Sequence, residues 1–371
     1  MALPALVFSL VLTAPPPDAG ALKPSMQAAL TAVVGLTPLL SSPPAFRDPA
    51  NAPRIRAALD VLSPLEHFFS KPQGATDSAI ATLFAREVSR ARTEFDAKDT
   101  EAARFRLRAV TSMCFGCHVR TPTEQDVAAA APLVEALALP PLERAAFFAT
   151  TRQFDRALAE WQAALAQPPK NDVEAFEQAQ AVRAALVVII QGQDDAKATI
   201  ALLARNSARP ELPGFMTRQM ARWLTEAKGW QAERFDASRK APAELVARAR
   251  ALLANSGITK SPTPDENRLV SHLRAAGYLQ EALRREPQGS FRGEALLLLG
   301  TVAAATTDPS LWRLEWILLE ACVRENPKTP LARQCAERLS ERTWLAYTSR
   351  SGLDVPGDVG VALGELNALA R

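Results

Sequence analysis

Two of the chain's four cysteines and one of its three histidines fall together as Cys114, Cys117 and His118, in the stretch SMCFGCHVR. Three chemistries use thiols and an imidazole at this spacing. A structural zinc site needs a fourth Cys or His, usually on a short rigid hairpin. The remaining candidates, His67, His272, Cys322 and Cys335, are distant in sequence. A thioredoxin-like redox pair needs a βαβ setting, and the sequence around the motif offers none. The third chemistry is covalent attachment of c-type haem. The two thiols add across the haem vinyl groups as thioethers, and the adjacent imidazole reaches the iron. On a helix, positions i, i+3 and i+4 share one face, so all three groups would meet one porphyrin. Haem c is the favoured assignment, with zinc and thiol exchange as its alternatives.

The elements that must position the motif are helical. Alanine, leucine and arginine dominate the composition, and all three favour helix. The longest apolar β-branched run, ALVVII at 185–190, sits inside a helical pattern. These features predict an all-α protein. Four helical patterns precede or contain the motif. The first runs about 24–40 with Ser25 as a candidate cap, and SSPPAFRDPANAP then breaks the chain. The second runs about 54–69 and is kinked at Pro64. The third, about 77–96, is capped by Thr76 or Asp77, and the fourth, about 100–120, by Asp99.

Helices of this length with short turns predict an up-down-up-down bundle over residues 24–122. The motif then lies level with the start of helix one, the end of helix two and the start of helix three. Met26 and His67 share that level, so each is a candidate for the sixth iron position, which could also be vacant. Leu107, Val110 and Thr111 precede Cys114 on its face and read as cavity or core wall. Arg104, about 15 Å from Cys114 along the helix, reads as a surface charge.

C-x-x-C-H near the end of the fourth helix of a bundle resembles cytochrome c′ and related four-helix c-type cytochromes. The resemblance covers about residues 24–122. It implies that Cys114 and Cys117 hold the haem and that His118 is the proximal iron ligand. Low-spin relatives use an early methionine of helix one, which Met26 resembles by position, while other members of the group bind NO or CO at an open position. The tail departs from the pattern. Relatives continue past the histidine to an aromatic and an arginine, whereas CHVRTP brings Arg120 early and then a proline, so the resemblance assigns no propionate contact here.

The remainder sets the context. MALPALVFSLVLTAPPPDAG, residues 1–20, has an apolar run too short to span a membrane and reads as a secretory signal. Residues 123–141 read as a linker and 142–371 as a helical-repeat domain. Within it, Ala157, Leu158, Trp161, Ala164 and Leu165 resemble the second helix of a tetratricopeptide repeat, and later stretches follow a drifting period. Cys322 and Cys335 flank a turn between two helices and are a candidate disulfide, with two buried thiols as the alternative.

The net charge of +3, with no basic block interleaved with aromatics, argues against nucleic acid. Hydrolase and phosphate-loop motifs do not occur. The expected protein is a periplasmic monohaem cytochrome carrying electrons, with the repeats docking a redox or scaffold partner and no transmembrane segment after signal removal. A gas-binding haem sensor and a haem-stabilised assembly scaffold are the alternatives. All three favour a carrier or ligand-binding protein over an enzyme.

Overall fold

The structure, a computed structural model, describes residues 19–64, 75–118, 135, 139–256, 258, 266–306, 314–349 and 352–371. Its elements are almost entirely helical. The first five helices are α1 (Ala19–Ser41), α2 (Pro43–Arg47), α3 (Ala52–Leu62), α4 (Ala75–Asp96) and α5 (Thr100–His118).

Several helix ends differ from the sequence expectation. α1 begins at Ala19, so Ser25 lies inside it and not at its N-terminus. α4 begins at Ala75, which puts Thr76 and Asp77 in its first turn rather than at its cap. The stretch SSPPAF is not a simple break. The Ser42 hydroxyl accepts from the Ala45 N–H, and Pro43 and Pro44 occupy the first turn, where a missing N–H costs nothing. The resulting helix α2 buries Phe46, whose ring meets Phe95 edge-on at 6.1 Å. α3 stops at Leu62 and passes into a 3-10 turn at Ser63 and Pro64: Ser63 keeps helical backbone and donates to the Leu59 carbonyl, but Pro64 has no N–H to continue the ladder. Residues 65–69 of the expected second helix, His67 among them, lie outside the described residues. The turn into α5 matches the expectation: the Asp99 carboxylate accepts from the Ala102 N–H at 3.1 Å, after Lys98 reverses the chain with a φ of 66°.

Ion pairs fix the helix directions. Arg56 meets Asp96 at 3.1 Å, and one turn further along α3 Asp60 meets Arg92, so α3 and α4 are antiparallel. α4 and α5 form a tight hairpin. Arg106 of α5 reaches Glu94 at 2.6 Å and Glu87 at 2.7 Å on α4. α1 packs on α3 and α5, which closes a ring of four alternating helices. Ile55, Leu59, Leu62, Leu83, Val88, Leu107, Val110 and Val33 fill its centre. Each such side chain contributes about 1.5–3 kcal/mol through burial.

Glu87 is only 3% exposed, and Arg106 is its counter-charge. Arg106→Met is expected to lower stability by about 3 kcal/mol, the low end for breaking a buried pair because Arg106 keeps some exposure. Replacing both residues with methionine should recover most of that loss. Urea unfolding measures it. A loss below about 0.5 kcal/mol, as at an ordinary surface position, would show that Glu87 needs no partner.

From Pro141 the chain forms an array of helices. α6 (Pro141–Thr150) pairs with α7 (Phe154–Leu165), and α8 (Asp172–Val187) continues into a π turn at Val188–Gly192. α9 (Ala196–Ser207) pairs with α10 (Gly214–Gln231), and α11 (Pro242–Ser256) with α12 (Leu269–Arg285). α13 (Arg292–Thr306) pairs with α14 (Leu314–Glu325), and α15 (Pro330–Tyr347) with α16 (Gly357–Ala370). Gly300 allows α13 to cross close over α14, since a Cβ there would sit 2.7 Å from Leu319. Ala157, Trp161 and Leu165 are buried on α7. The array curls back on the bundle. α6 packs on α5, while α12 and α14 pack on α4, and one hydrophobic cluster runs through both regions.

Candidate functional site

α5 runs unbroken to His118, so Cys114, Cys117 and His118 occupy its final turns. On the same helix Ala103, Leu107, Val110 and Met113 are each no more than 1% exposed. At ~3.6 residues per turn, positions 103, 107, 110, 113, 114, 117 and 118 fall within one arc of about 140°. The motif therefore continues the bundle-facing stripe beyond Met113. The solvent face lies opposite, with Phe105 61% exposed. This placement rests on the backbone register of α5.

The vertical register follows from Arg104. It is not a plain surface charge: its side chain is 16% exposed, pairs with Glu101 at 3.2 Å and donates to the Leu40 carbonyl at 2.9 Å. The C-terminal end of α1 thus sits beside the start of α5. His118 lies fourteen residues beyond Arg104, and Met26 fourteen residues before Leu40. The two helices are antiparallel, so both displacements are ~21 Å toward the same end of the bundle. Met26, half-buried on α1, is level with His118. The end of α3 and the first turn of α4 reach the same end, because each is antiparallel to its neighbour in the ring.

The donor set fits haem c. Two thiols at i and i+3 match two vinyl groups, and an imidazole at i+4 supplies a nitrogen ligand from the same side. The apolar stripe on the same helix is compatible with a macrocycle, and the sulfur of a methionine at the level of the imidazole is of the soft type that can serve as a sixth ligand. Among the described residues no group of three or more His, Cys, Asp or Glu side chains gathers as a metal site. Also among these residues, no helix is long and apolar enough to cross a membrane.

The other singled-out residues sit in the array. Cys322 of α14 and Cys335 of α15 form a disulfide with Cα atoms 6.3 Å apart. His272 is fully buried on α12.

Sequence reasoning missed a charged strut in the array. Arg274 of α12 is 4% exposed and lies 4.8 Å from the Trp230 ring. It donates to Glu233 at 2.6 and 3.2 Å and to the Tyr278 hydroxyl at 3.2 Å. Burial acts to raise the Glu233 carboxyl, but Arg274 and Arg248 outweigh it and hold the group below the usual carboxylate range. Burial raises the Tyr278 phenol, an effect Arg274 only partly offsets. All these groups are engaged with one another, so the strut reads as a structural tie between α12 and its neighbours. Only the i, i+4 spacing of Arg274 and Tyr278 hints at it in the sequence.

Compared with known proteins, the chain matches no family model, and neither curated proteins nor solved structures give a significant match.

Proposed function

We propose that the protein is an exported monohaem c-type cytochrome that transfers electrons. The observation that carries this is the register of α5, which sets Cys114, Cys117 and His118 in line with the buried stripe of a four-helix bundle. Haem c, when bound, supplies reversible one-electron chemistry at its iron. Cys114 and Cys117 anchor the group covalently, so it survives repeated cycles without dissociating. His118 would supply an imidazole ligand to the iron. Leu107, Val110 and Met113 exclude water beneath the site, and such burial tunes the reduction potential. Met26 is the proposed sixth ligand, since a thioether raises the potential and suits a carrier.

In this proposal residues 24–122 hold the haem and residues 142–371 dock a redox or scaffold protein. Helical arrays offer extended surface for such docking. The Cys322–Cys335 disulfide supports export, because disulfides persist in oxidising compartments such as the periplasm. Absorption spectra of the oxidised and reduced full-length protein, matured through a cytochrome-export system, test the function. A low-spin haem c spectrum in both states is expected. A high-spin spectrum with ready CO binding would reject the carrier and favour a gas-binding protein.

A further inference from the structure

The contact between bundle and array encloses a cleft of about 230 Å³. α4 lines one side with Arg86 and Arg90, and α14, α15 and α16 form the other. The charges on the far side are already matched. Glu315 accepts from Arg342 at 3.2 Å. Glu320 accepts from Arg324 at 2.8 Å and from the Trp316 indole N–H at 3.0 Å. The two guanidiniums of α4 are different. Arg86 and Arg90 are one helical turn apart and half-buried in the cleft wall. Neither makes a hydrogen bond or ion pair among the described residues.

Two half-buried cations without counter-charge are an incomplete arrangement. Arginine forks bind carboxylate and phosphate oxygens bidentately, and such charge-assisted bonds are about twice as strong as neutral ones. Trp316 and Tyr347 add flat apolar surface beside them. The Glu315 carboxylate is held by Arg342, so its charge is compensated on its own side of the cleft. The cleft is smaller than the 300–1,000 Å³ typical of drug-sized ligands, which points to a small metabolite.

We propose that this cleft binds a small organic oxyanion, a carboxylate or a phosphate ester. Arg86 and Arg90 grip its oxygens, and its carbon body lies against Trp316 and Tyr347. The site is separate from the haem motif and does not depend on it. Arg86 is eleven residues, ~16 Å, along α4 from the end of the bundle that carries Cys114. A ligand there bridges the bundle and the C-terminal helices, so it stabilises their contact by mass action.

Thermal unfolding of the full-length protein with inorganic phosphate, succinate or sodium chloride at equal ionic strength tests this. A saturable rise in Tm beyond chloride is expected with at least one probe. Phosphate alone would mark a phosphate-ester site, and succinate alone a carboxylate site. Arg86→Gln with Arg90→Gln should weaken binding by at least about tenfold, the loss expected for a broken charge-assisted pair. Should that variant not fold, Arg86→Lys with Arg90→Lys keeps the charge but loses the planar fork, and is expected to bind at least about tenfold more weakly. No rise beyond chloride in the wild type, or unchanged affinity in whichever variant folds, would overturn the proposal.

Discussion

Exported protein carrying both Cys114→Ala and Cys117→Ala is expected to hold no covalent haem. The two positions share one face of α5 with the buried stripe of Leu107 and Val110, and they are the only cysteines near the end of the bundle. The other two are joined to each other in the array. No thiol remains to form a thioether, so haem staining on denaturing gels should fall from full intensity to none. Each single substitution leaves one thioether, and staining should persist with one vinyl group still unsaturated. Full staining in the double variant would place the attachment elsewhere or show that the stain reports retained, non-covalent haem.

Met26→Ala is the second large expected effect. If the Met26 sulfur is the sixth ligand, its loss opens the iron, and a low-spin spectrum should become high-spin. The reduced variant should then bind CO, which the wild type resists. The register supports the choice. The Arg104–Leu40 hydrogen bond ties α1 to α5 so that Met26 and His118 reach the same level. Methionine also fills irregular gaps in cores. In that case the substitution would cost some stability and leave the spectrum unchanged. A change only on His67→Ala would identify a bis-histidine site and a lower-potential carrier. A wild type that is already high-spin and binds CO would make NO or CO binding the leading function.

The legible parts of this molecule were the local ones. Cys114, Cys117 and His118 announce themselves by spacing alone. Asp99 and the α4–α5 hairpin follow from capping chemistry within a few residues. The alternating directions of α1, α3, α4 and α5 follow from short connections. Helix ends were harder, because prolines pull two ways. Pro64 ends α3, as a donor-less residue should, whereas Pro43 and Pro44 start α2. The two-stranded hairpin of Thr348–Ser349 and Gly352–Leu353 and the last helix, α16, carry no clear local signal in the sequence. Their segments are short or weakly periodic, and α16 is positioned by packing on α15.

The curl of the array onto the bundle lay furthest from view. Arg86 and Arg90 face Glu315 and Arg342 across more than two hundred residues, and nothing local in either segment names the other. The same holds for Arg274, whose partner Glu233 lies forty-one residues away in the loop after α10. Burial of a charge is a property of the folded assembly, and periodicity alone does not reveal it.

The central claim, covalent haem on the final turns of α5, is tested most directly by intact mass. The full-length protein should be purified from a host that exports it and attaches c-type haem, then denatured and weighed. A mass equal to the processed polypeptide plus one haem is predicted, with the added mass on the peptide containing Cys114 and Cys117. A denatured chain at the bare polypeptide mass, isolated with zinc in the native state, would contradict the account.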